Sequence, residues 1–260
     1  MRILVIPDVQ AKPGQDFSFL RYVGQYAVDK KPDVIVQIGD FADMSSLSSY
    51  DVGKKSFEGR TYKDDIVAAQ EAMDNLMVPI LKEQMRLETG KKKKWNPRMV
   101  LTLGNHENRI NKAIENDRKL EGLIHTDDLD YKGFGWEVIP FLEPITIGGI
   151  SFCHYFVSGV MGKPVTSARA LVMKKHMSCV MGHVQASEID MSQRRADGTP
   201  LLGLFAGIYT PYDEDYLNPQ SNKQHRQIWM LQEVEDGFAY VQPISLEFLR
   251  GKYGSNYECN

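Results

Sequence analysis

Short apolar runs that end in polar side chains are the feature that most constrains the fold of this 260-residue chain. Residues 3–6 (ILVI) lead through proline into Asp8, and residues 34–38 (VIVQI) lead through glycine into Asp40. Continuous apolar runs of this length are typical of strands that are buried on both faces. Apolar residues recur at helical spacing over residues 17–28. The pattern therefore predicts a strand–helix–strand unit with parallel strands and a right-handed crossover.

The same type of run recurs further along the chain. Residues 99–103, 150–154 and 179–181 are apolar and end at a polar motif or lead into one. Residues 63–88 have a helical pattern, and Pro79 is expected to kink or break that helix. We predict one layered α/β domain over residues 1–253, with a helical cap or insertion at about 44–95 and a tail at 254–260.

Composition excludes several classes of protein. The chain has 31 basic and 34 acidic residues, so its net charge is −3, which does not suit a protein that binds nucleic acid with its whole surface. Its 3 cysteines are too few for a disulfide framework, and we expect a reducing, cytoplasmic environment. No apolar run approaches the ~20 residues that span a bilayer, and no membrane partner is expected.

Polar side chains with metal-binding chemistry follow the predicted strands. The carboxyl ends of strands are where α/β sheets bind ligands. Carboxylates, amides and imidazoles suit Mn²⁺, Mg²⁺, Fe or Zn²⁺. The carboxylate of Asp40 can bridge two cations, and such a pair is the usual arrangement for attack of an activated water on phosphorus. His106 is then available to protonate the leaving oxygen. The polar side chains at these strand ends are Asp8, Gln10, Asp40, Asp43, Asn105, His106, Glu107, His154, His183 and Gln185.

Five segments in this order resemble the motif series of the calcineurin-like metallophosphoesterases. The family pattern is D-x-H, G-D-x-x-D, G-N-H-E/D, a histidine that ends a strand, and G-H-x-H. The matching segments here are Asp8-Val9-Gln10, Gly39-Asp40-Phe41-Ala42-Asp43, Gly104-Asn105-His106-Glu107, Cys153-His154 and Gly182-His183-Val184-Gln185. The resemblance therefore extends over most of the chain.

The resemblance implies a four-layer α/β/β/α sandwich with two metal ions. By position, the first metal would be held by Asp8, Gln10 and Asp40, with a contribution from Gln185. The second would be held by Asp40, Asn105, His154 and His183. His106 would match the proton donor to the leaving group.

Two of these positions depart from the family pattern, because Gln10 and Gln185 each replace a histidine. An amide oxygen is a weaker donor than an imidazole nitrogen, so we expect a loosely held first metal and a preference for Mn²⁺ or Mg²⁺ over Zn²⁺. Mn²⁺ is the principal expectation for both sites. Asp43 is interpreted as a turn residue or a support for the ligands, and Glu107 as a helix cap or a support.

A basic segment precedes the third motif. Residues 82–98 contain 7 basic and 2 acidic side chains, including Lys91 to Lys94, with Trp95 beside them. Such a run is ordinarily a solvated loop, but a position on the active-site side would attract a nucleotide or nucleic acid. On this ground the sequence predicts a metal-dependent phosphoesterase with a nucleotide or nucleic-acid phosphodiester as substrate. The alternatives are a protein or small-metabolite phosphomonoesterase and a weakly active metal-binding scaffold for protein assembly.

Overall fold

The computed structural model describes residues 1–49, 53, 57–213 and 224–256. The strands are β1 Ile3–Ile6, β2 Val34–Gln37, β3 Arg98–Thr102, β4 Glu137–Ile139, β5 Ile145–Ile147, β6 Ile150–Cys153, β7 Cys179–Met181, β8 Ser187–Asp190, β9 Gly203–Ala206, β10 Gln227–Glu235 and β11 Phe238–Ser245. A six-stranded sheet has the order β11-β10-β1-β2-β3-β4, and a five-stranded sheet has the order β5-β6-β7-β9-β8. The α-helices are α1 Ser18–Lys30, α2 Tyr62–Thr89, α3 Arg109–Asn116, α4 Ala168–Lys175 and α5 Leu246–Tyr253.

Parallel strands form the centre of each sheet. In the first sheet β1 pairs with β2, β2 with β3, and β3 with β4, all parallel. In the second sheet β6, β7 and β9 are parallel neighbours. The predicted β1–α1–β2 unit is confirmed, because α1 connects two adjacent parallel strands. The central parallel strands of each sheet end in the same direction, so the residues that follow them gather at one edge.

Three clusters of buried residues hold the layers together. One cluster joins the facing sides of the two sheets and includes Val5, Val36, Phe152 and Leu204. A second cluster packs α1, α2 and α5 on the other face of the first sheet. A third packs α4 on the second sheet. The predicted mixed α/β fold is confirmed by the two sheets and the helices packed on them. Within the described residues, no helix is long and apolar enough to cross a membrane.

Of the two predicted alternatives at Pro79, a kink or a break, the break is wrong, because α2 continues through that residue from Tyr62 to Thr89. A proline inside a helix costs about 3 kcal/mol. That cost is offset by burial: α2 packs along α1, and Leu76, Met77 and Ile80 are buried in the shared cluster. Gly24 of α1 permits this close packing, since a Cβ there would lie 3.0 Å from Cγ of Pro79.

The basic segment lies at the edge opposite to the predicted ligands. Trp95 Nε1 donates a hydrogen bond of 2.9 Å to the carbonyl of Pro32, which precedes β2. The amide of Arg98 likewise donates to the carbonyl of Asp33. These contacts place Lys91 to Lys94 at the amino ends of β2 and β3. The hypothesis that this loop lies on the active-site side is therefore wrong, whereas the favoured alternative of a solvated loop fits the exposed Lys91 to Lys94.

Candidate metal centre and active site

The carboxyl ends of strands from both sheets meet at one site. Asp8 follows β1, Asp40 follows β2 and Asn105 follows β3, all in the first sheet. His154 and His183 follow β6 and β7 in the second sheet. His154 Nδ1 lies 2.9 Å from the carbonyl of Ile38, and the amide of His183 donates to both carboxylate oxygens of Asp8 at 3.2 Å. The two sheets are thus joined where the candidate ligands converge.

A candidate metal-binding cluster lies around Asp40. The donor atoms of Asp40, His154 and His183 all lie within 4.8 Å of one another, an arrangement that can hold a cation. Asp40 Oδ2 is 3.2 Å from His154 Nε2, while Oδ1 accepts a hydrogen bond of 2.8 Å from the amide of His106. Asn105 Oδ1 lies 3.0 Å from the same His154 nitrogen. Four of the predicted ligands therefore share one small volume.

The charges at this site perturb one another strongly. Burial would raise the pKa of Asp40, but the charges of His106 and His154 outweigh burial and hold that pKa below its usual range. Burial raises the pKa of Asp8 to about 7, and the charge of Asp40 adds to the shift. Burial lowers the pKa of His183 to about 4, with repulsion from His154 acting in the same direction. Two buried carboxylates opposite imidazoles form a donor set that a divalent cation stabilises.

Two motif glycines make room for the acidic ligands. A Cβ on Gly104 would collide with Asp40 Oδ1, and a Cβ on Gly182 would collide with Asp8 Oδ1. Each glycine lets a turn of one strand approach a carboxylate that follows another strand. The site thus requires glycine at these positions for space.

Gln10 and Gln185 differ in their surroundings. Gln10 is 3% exposed and has a positive φ of 53°, and its backbone amide donates to the carbonyl of Asp40. Its side-chain oxygen Oε1 is buried and has no hydrogen-bond partner within the described part of the chain. In contrast, Oε1 of Gln185 accepts a hydrogen bond of 2.8 Å from Gln224. A buried, unpaired carbonyl oxygen is costly unless a ligand satisfies it, so Gln10 fits a metal ligand well.

The candidate proton donor His106 is held by Asp43 and Arg109. Its Nδ1 lies 2.6 Å from Asp43 Oδ1, and its Nε2 lies 3.6 Å from Asp40 Oδ2. Arg109 Nη2 is 3.3 Å from the same Nε2. The position of Asp43 agrees with its interpretation as a supporting residue. Arg109 was not identified from the sequence, although it follows His106 by three residues at the start of a helix.

Glu107 supports the loops that carry the candidate ligands. Its buried carboxylate accepts hydrogen bonds from the backbone amides of Asp40, Ala42 and Gly104, at 2.8–3.1 Å. Burial raises its pKa, and the charge of Asp40 acts in the same direction. Glu107 thus fixes the turn after β2 against the turn after β3.

The histidines outside the motifs lie elsewhere or have other partners. His125 is exposed and caps a short 3₁₀ helix, Thr126–Leu129, through Nδ1. His176 is exposed and ends α4 in a left-handed conformation. His225 Nδ1 accepts from the amide of Ser187 at 2.9 Å. None of these three belongs to the metal-binding cluster found among the described residues.

A strand-end site of carboxylates, an amide and imidazoles on a two-sheet α/β fold defines a metal-dependent phosphoesterase. Comparison with known proteins agrees, since residues 1–176 match the calcineurin-like phosphoesterase family. The chain belongs to this family, as its motif series predicted. It is therefore a hydrolase that acts on phosphoester bonds.

Two known proteins that resemble this chain have low sequence identity to it. Gene 54 protein of Mycobacterium phage L5 is 26% identical over 195 residues, which are 72% of this chain and 70% of that protein. YfcE, a phosphoesterase from E. coli whose structure is solved, is 10% identical, with a TM-score of 0.35. That alignment covers 95% of this chain and 100% of YfcE.

Proposed function

We propose that this chain hydrolyses its substrate with two divalent cations bound at the carboxyl ends of the strands. The first would be held by Asp8, Gln10 and Asp40, and the second by Asp40, Asn105, His154 and His183. The observation that carries the proposal is the position of Asp40. A carboxylate oxygen of Asp40 and a ring nitrogen of each of His154 and His183 lie within 4.8 Å of one another. The charge of Asp40 also raises the pKa of Asp8.

Gln10 and Gln185 differ as candidate ligands of the first metal. Gln10 offers a buried oxygen without a partner, whereas the oxygen of Gln185 is already bound by Gln224. Gln185 would therefore share its oxygen between that hydrogen bond and the first metal, since a carbonyl oxygen has two lone pairs. With Gln10 as its amide ligand, the first metal has oxygen donors from three side chains, which favours Mn²⁺ or Mg²⁺ over Zn²⁺. We propose Mn²⁺ as the native metal.

The protein's own residues supply positioning and a proton. When bound, the cations supply Lewis acidity, which offsets negative charge on the phosphoryl oxygens and makes water more acidic. Asp43 binds Nδ1 of His106 and so fixes the direction of Nε2. We propose that Nε2 of His106 gives its proton to the leaving oxygen. Glu107 keeps the turns of Asp40 and Asn105 in register during turnover.

The basic loop bears on the class of phosphoester that the protein hydrolyses. A nucleotide or nucleic-acid phosphodiester was predicted from Lys91 to Lys94, and that support is lost because the loop lies at the opposite edge of the sheet. Phosphodiesters and phosphomonoesters are therefore compared directly in the assay. Replacing all four lysines with serine is expected to leave turnover and oligonucleotide binding unchanged. A flatter salt dependence in that variant would restore the nucleic-acid hypothesis.

Two features of the same structure support proposals on the domain and its location. We propose that residues 1–253 act as one domain, because α2, from the segment 44–95, shares a buried cluster with α1 and α5. We also propose a reducing, cytoplasmic location, since Cys153 and Cys179 are both buried and free.

The experiment that tests the function uses one preparation of the full chain. Metal content is measured, and hydrolysis of an aryl phosphomonoester and an aryl phosphodiester is followed with added Mn²⁺, with His106→Ala as the control. We expect two metal equivalents and a kcat about 10²- to 10⁴-fold lower for His106→Ala. One metal equivalent without hydrolysis would instead favour the alternative of a metal-binding scaffold for protein assembly.

A further inference from the structure

Arg109 lies one helical turn after the candidate proton donor. It is the first residue of α3, and its amide donates a hydrogen bond of 3.0 Å to the carbonyl of His106. Residues three positions apart on a helical turn share a face. The local fold therefore places the side chains of Arg109 and His106 next to each other.

The guanidinium group of Arg109 is fixed at the rim of the site. Nη1 donates to the carbonyl of Asp43 at 2.7 Å, and Nη2 lies 3.3 Å from Nε2 of His106. The side chain of Arg109 is 17% exposed, so it is partly buried but still reaches solvent. The same His106 nitrogen is 3.6 Å from Asp40 Oδ2. Arg109 thus holds a positive charge beside both the candidate proton donor and the candidate bridging ligand.

The chemistry of these contacts indicates an oxyanion as the natural partner of Nη2. A guanidinium group only donates hydrogen bonds, and its planar fork matches the oxygens of a phosphate. A charged phosphoryl oxygen is a stronger acceptor for Nη2 than an imidazole nitrogen. Lys12, whose Nζ is 4.0 Å from Asp43 Oδ2, adds a second cation at this edge. The basic loop at the opposite edge supplies none of this charge.

We propose that Arg109 binds a non-bridging oxygen of the substrate phosphate and positions the phosphorus atom in front of His106. This inference rests on the proposed function, because it takes the phosphate to lie at the cluster around Asp40. It adds a substrate-binding residue from α3 to the residues of the five motifs. No bond is made or broken at Arg109, whose role is to orient and bind.

A structural role is the competing explanation. Arg109 Nη1 also approaches the carbonyl of Met44 at 3.4 Å, and Met44 has a positive φ of 51°. A group that only braced this turn would affect stability and the position of Asp43, with no effect on phosphate affinity. The test therefore measures phosphate binding separately from turnover.

The experiment compares the wild type with Arg109→Met, Arg109→Lys and the matched control Lys112→Met, which removes an exposed charge one turn further along α3. Binding of inorganic phosphate to each Mn²⁺-loaded protein is measured by titration calorimetry, and KM, kcat and Tm are measured in parallel. We expect Arg109→Met to weaken phosphate binding about 10- to 100-fold, as the loss of a charged hydrogen bond implies. Arg109→Lys should weaken phosphate binding less, because lysine keeps the positive charge but lacks the planar fork of hydrogen-bond donors. Lys112→Met should match the wild type.

Several results would overturn the inference. They are equal phosphate affinity in the wild type and Arg109→Met, a loss of kcat and Tm alone, or no measurable phosphate binding by the wild type. If Arg109→Met does not fold, Arg109→Lys is used in its place, and its phosphate affinity should be about 3- to 10-fold lower than that of the wild type. Phosphate binding that depends on Arg109, in a protein that hydrolyses no phosphoester, would support this inference and contradict the proposed function.

Discussion

The Nδ1 atom of His106 lies 2.6 Å from Oδ1 of Asp43, although the two residues are 63 positions apart in the chain. This contact links the turn after β2 to the turn after β3. It leaves Nε2 of His106 directed toward Asp40, at 3.6 Å from Oδ2. An imidazole whose Nδ1 is bound by a carboxylate has a fixed orientation, which a proton donor needs.

We predict that Asp43→Asn lowers kcat by about 10- to 100-fold, a part of the ~10²- to 10⁴-fold contribution of a positioned general acid. The amide has one oxygen in place of two and no charge, so it holds the imidazole less firmly. Metal content should not change, because Asp43 is not among the proposed ligands. Steady-state kinetics and metal analysis measure both quantities, and Asp74→Asn, at an exposed position of α2, is the control. Equal kcat values for the three proteins would contradict this role for Asp43.

The unpaired oxygen of Gln10 gives a prediction about metal preference. Gln10→His replaces that oxygen with an imidazole nitrogen, so the first site should bind more tightly and accept Zn²⁺ or Co²⁺ more readily. Metal content by mass spectrometry and the visible absorption of the Co²⁺-loaded protein report this change without any assay of activity. Gln185→His is the matched variant, and we expect a smaller effect because Gln185 is bound to Gln224. Unchanged stoichiometry and preference in Gln10→His would remove Gln10 from the ligand set.

The requirement for glycine at position 104 is also testable. In Gly104→Ala the new methyl group would collide with Oδ1 and the backbone amide of Asp40, so that carboxylate must move. We expect a loss of about 1–3 kcal/mol in the free energy of unfolding, as for overpacking elsewhere, together with weaker metal binding.

Gly251→Ala provides the contrast within the same chain. Gly251 lies in α5, and a Cβ there meets nothing within 4 Å. The substitution should raise stability by about 0.5–1 kcal/mol, because alanine favours a helix over glycine. Urea unfolding of both variants measures the difference. A Gly104→Ala protein that is as stable as the wild type and binds metal normally would show that the turn adjusts freely.

Strand ends and their motifs could be predicted from sequence because the signals are local. The ligand candidates after β1, β2, β3, β6 and β7 each follow a short apolar run, and the fold brings these runs to one edge. Asp43 and Glu107 were also placed in supporting roles, since they lie within the same motifs. Their partners depend on long-range packing and became visible only in the structure.

The errors arose where tertiary packing outweighs local preference. Pro79 stays inside α2 because Leu76 and Ile80 are buried beside it, and periodicity alone does not weigh that burial against the cost of proline. A position near the site was a hypothesis for the basic loop because it precedes β3, but a loop that precedes a parallel strand lies at the opposite edge from one that follows it. No secondary structure was assigned from the sequence to residues 246–253, where Ser245 caps α5 through its side chain.

The packing of α1 against α2 should depend on pH through the ion pairs of Glu83. Hydrogen bonds from Arg86 and from Lys31 lower the pKa of Glu83 to about 2, from an ordinary value of 4.5. A carboxylate whose pKa is lower in the folded state contributes stability above the unfolded pKa and loses it as pH falls through the folded pKa. The contribution of Glu83 should therefore be complete above about pH 4.5 and should disappear toward pH 2.

Glu83→Gln tests this directly when its free energy of unfolding is compared with that of the wild type from pH 7 to pH 2. We expect the variant to be less stable at pH 7, with the difference shrinking below pH 4.5, because a protonated Glu83 resembles the amide. Glu88→Gln is the matched control on the same helix, since the pair of Glu88 with Lys94 is exposed and contributes little. A stability difference that stays constant down to pH 2 would show that the ion pairs of Glu83 do not stabilise this packing.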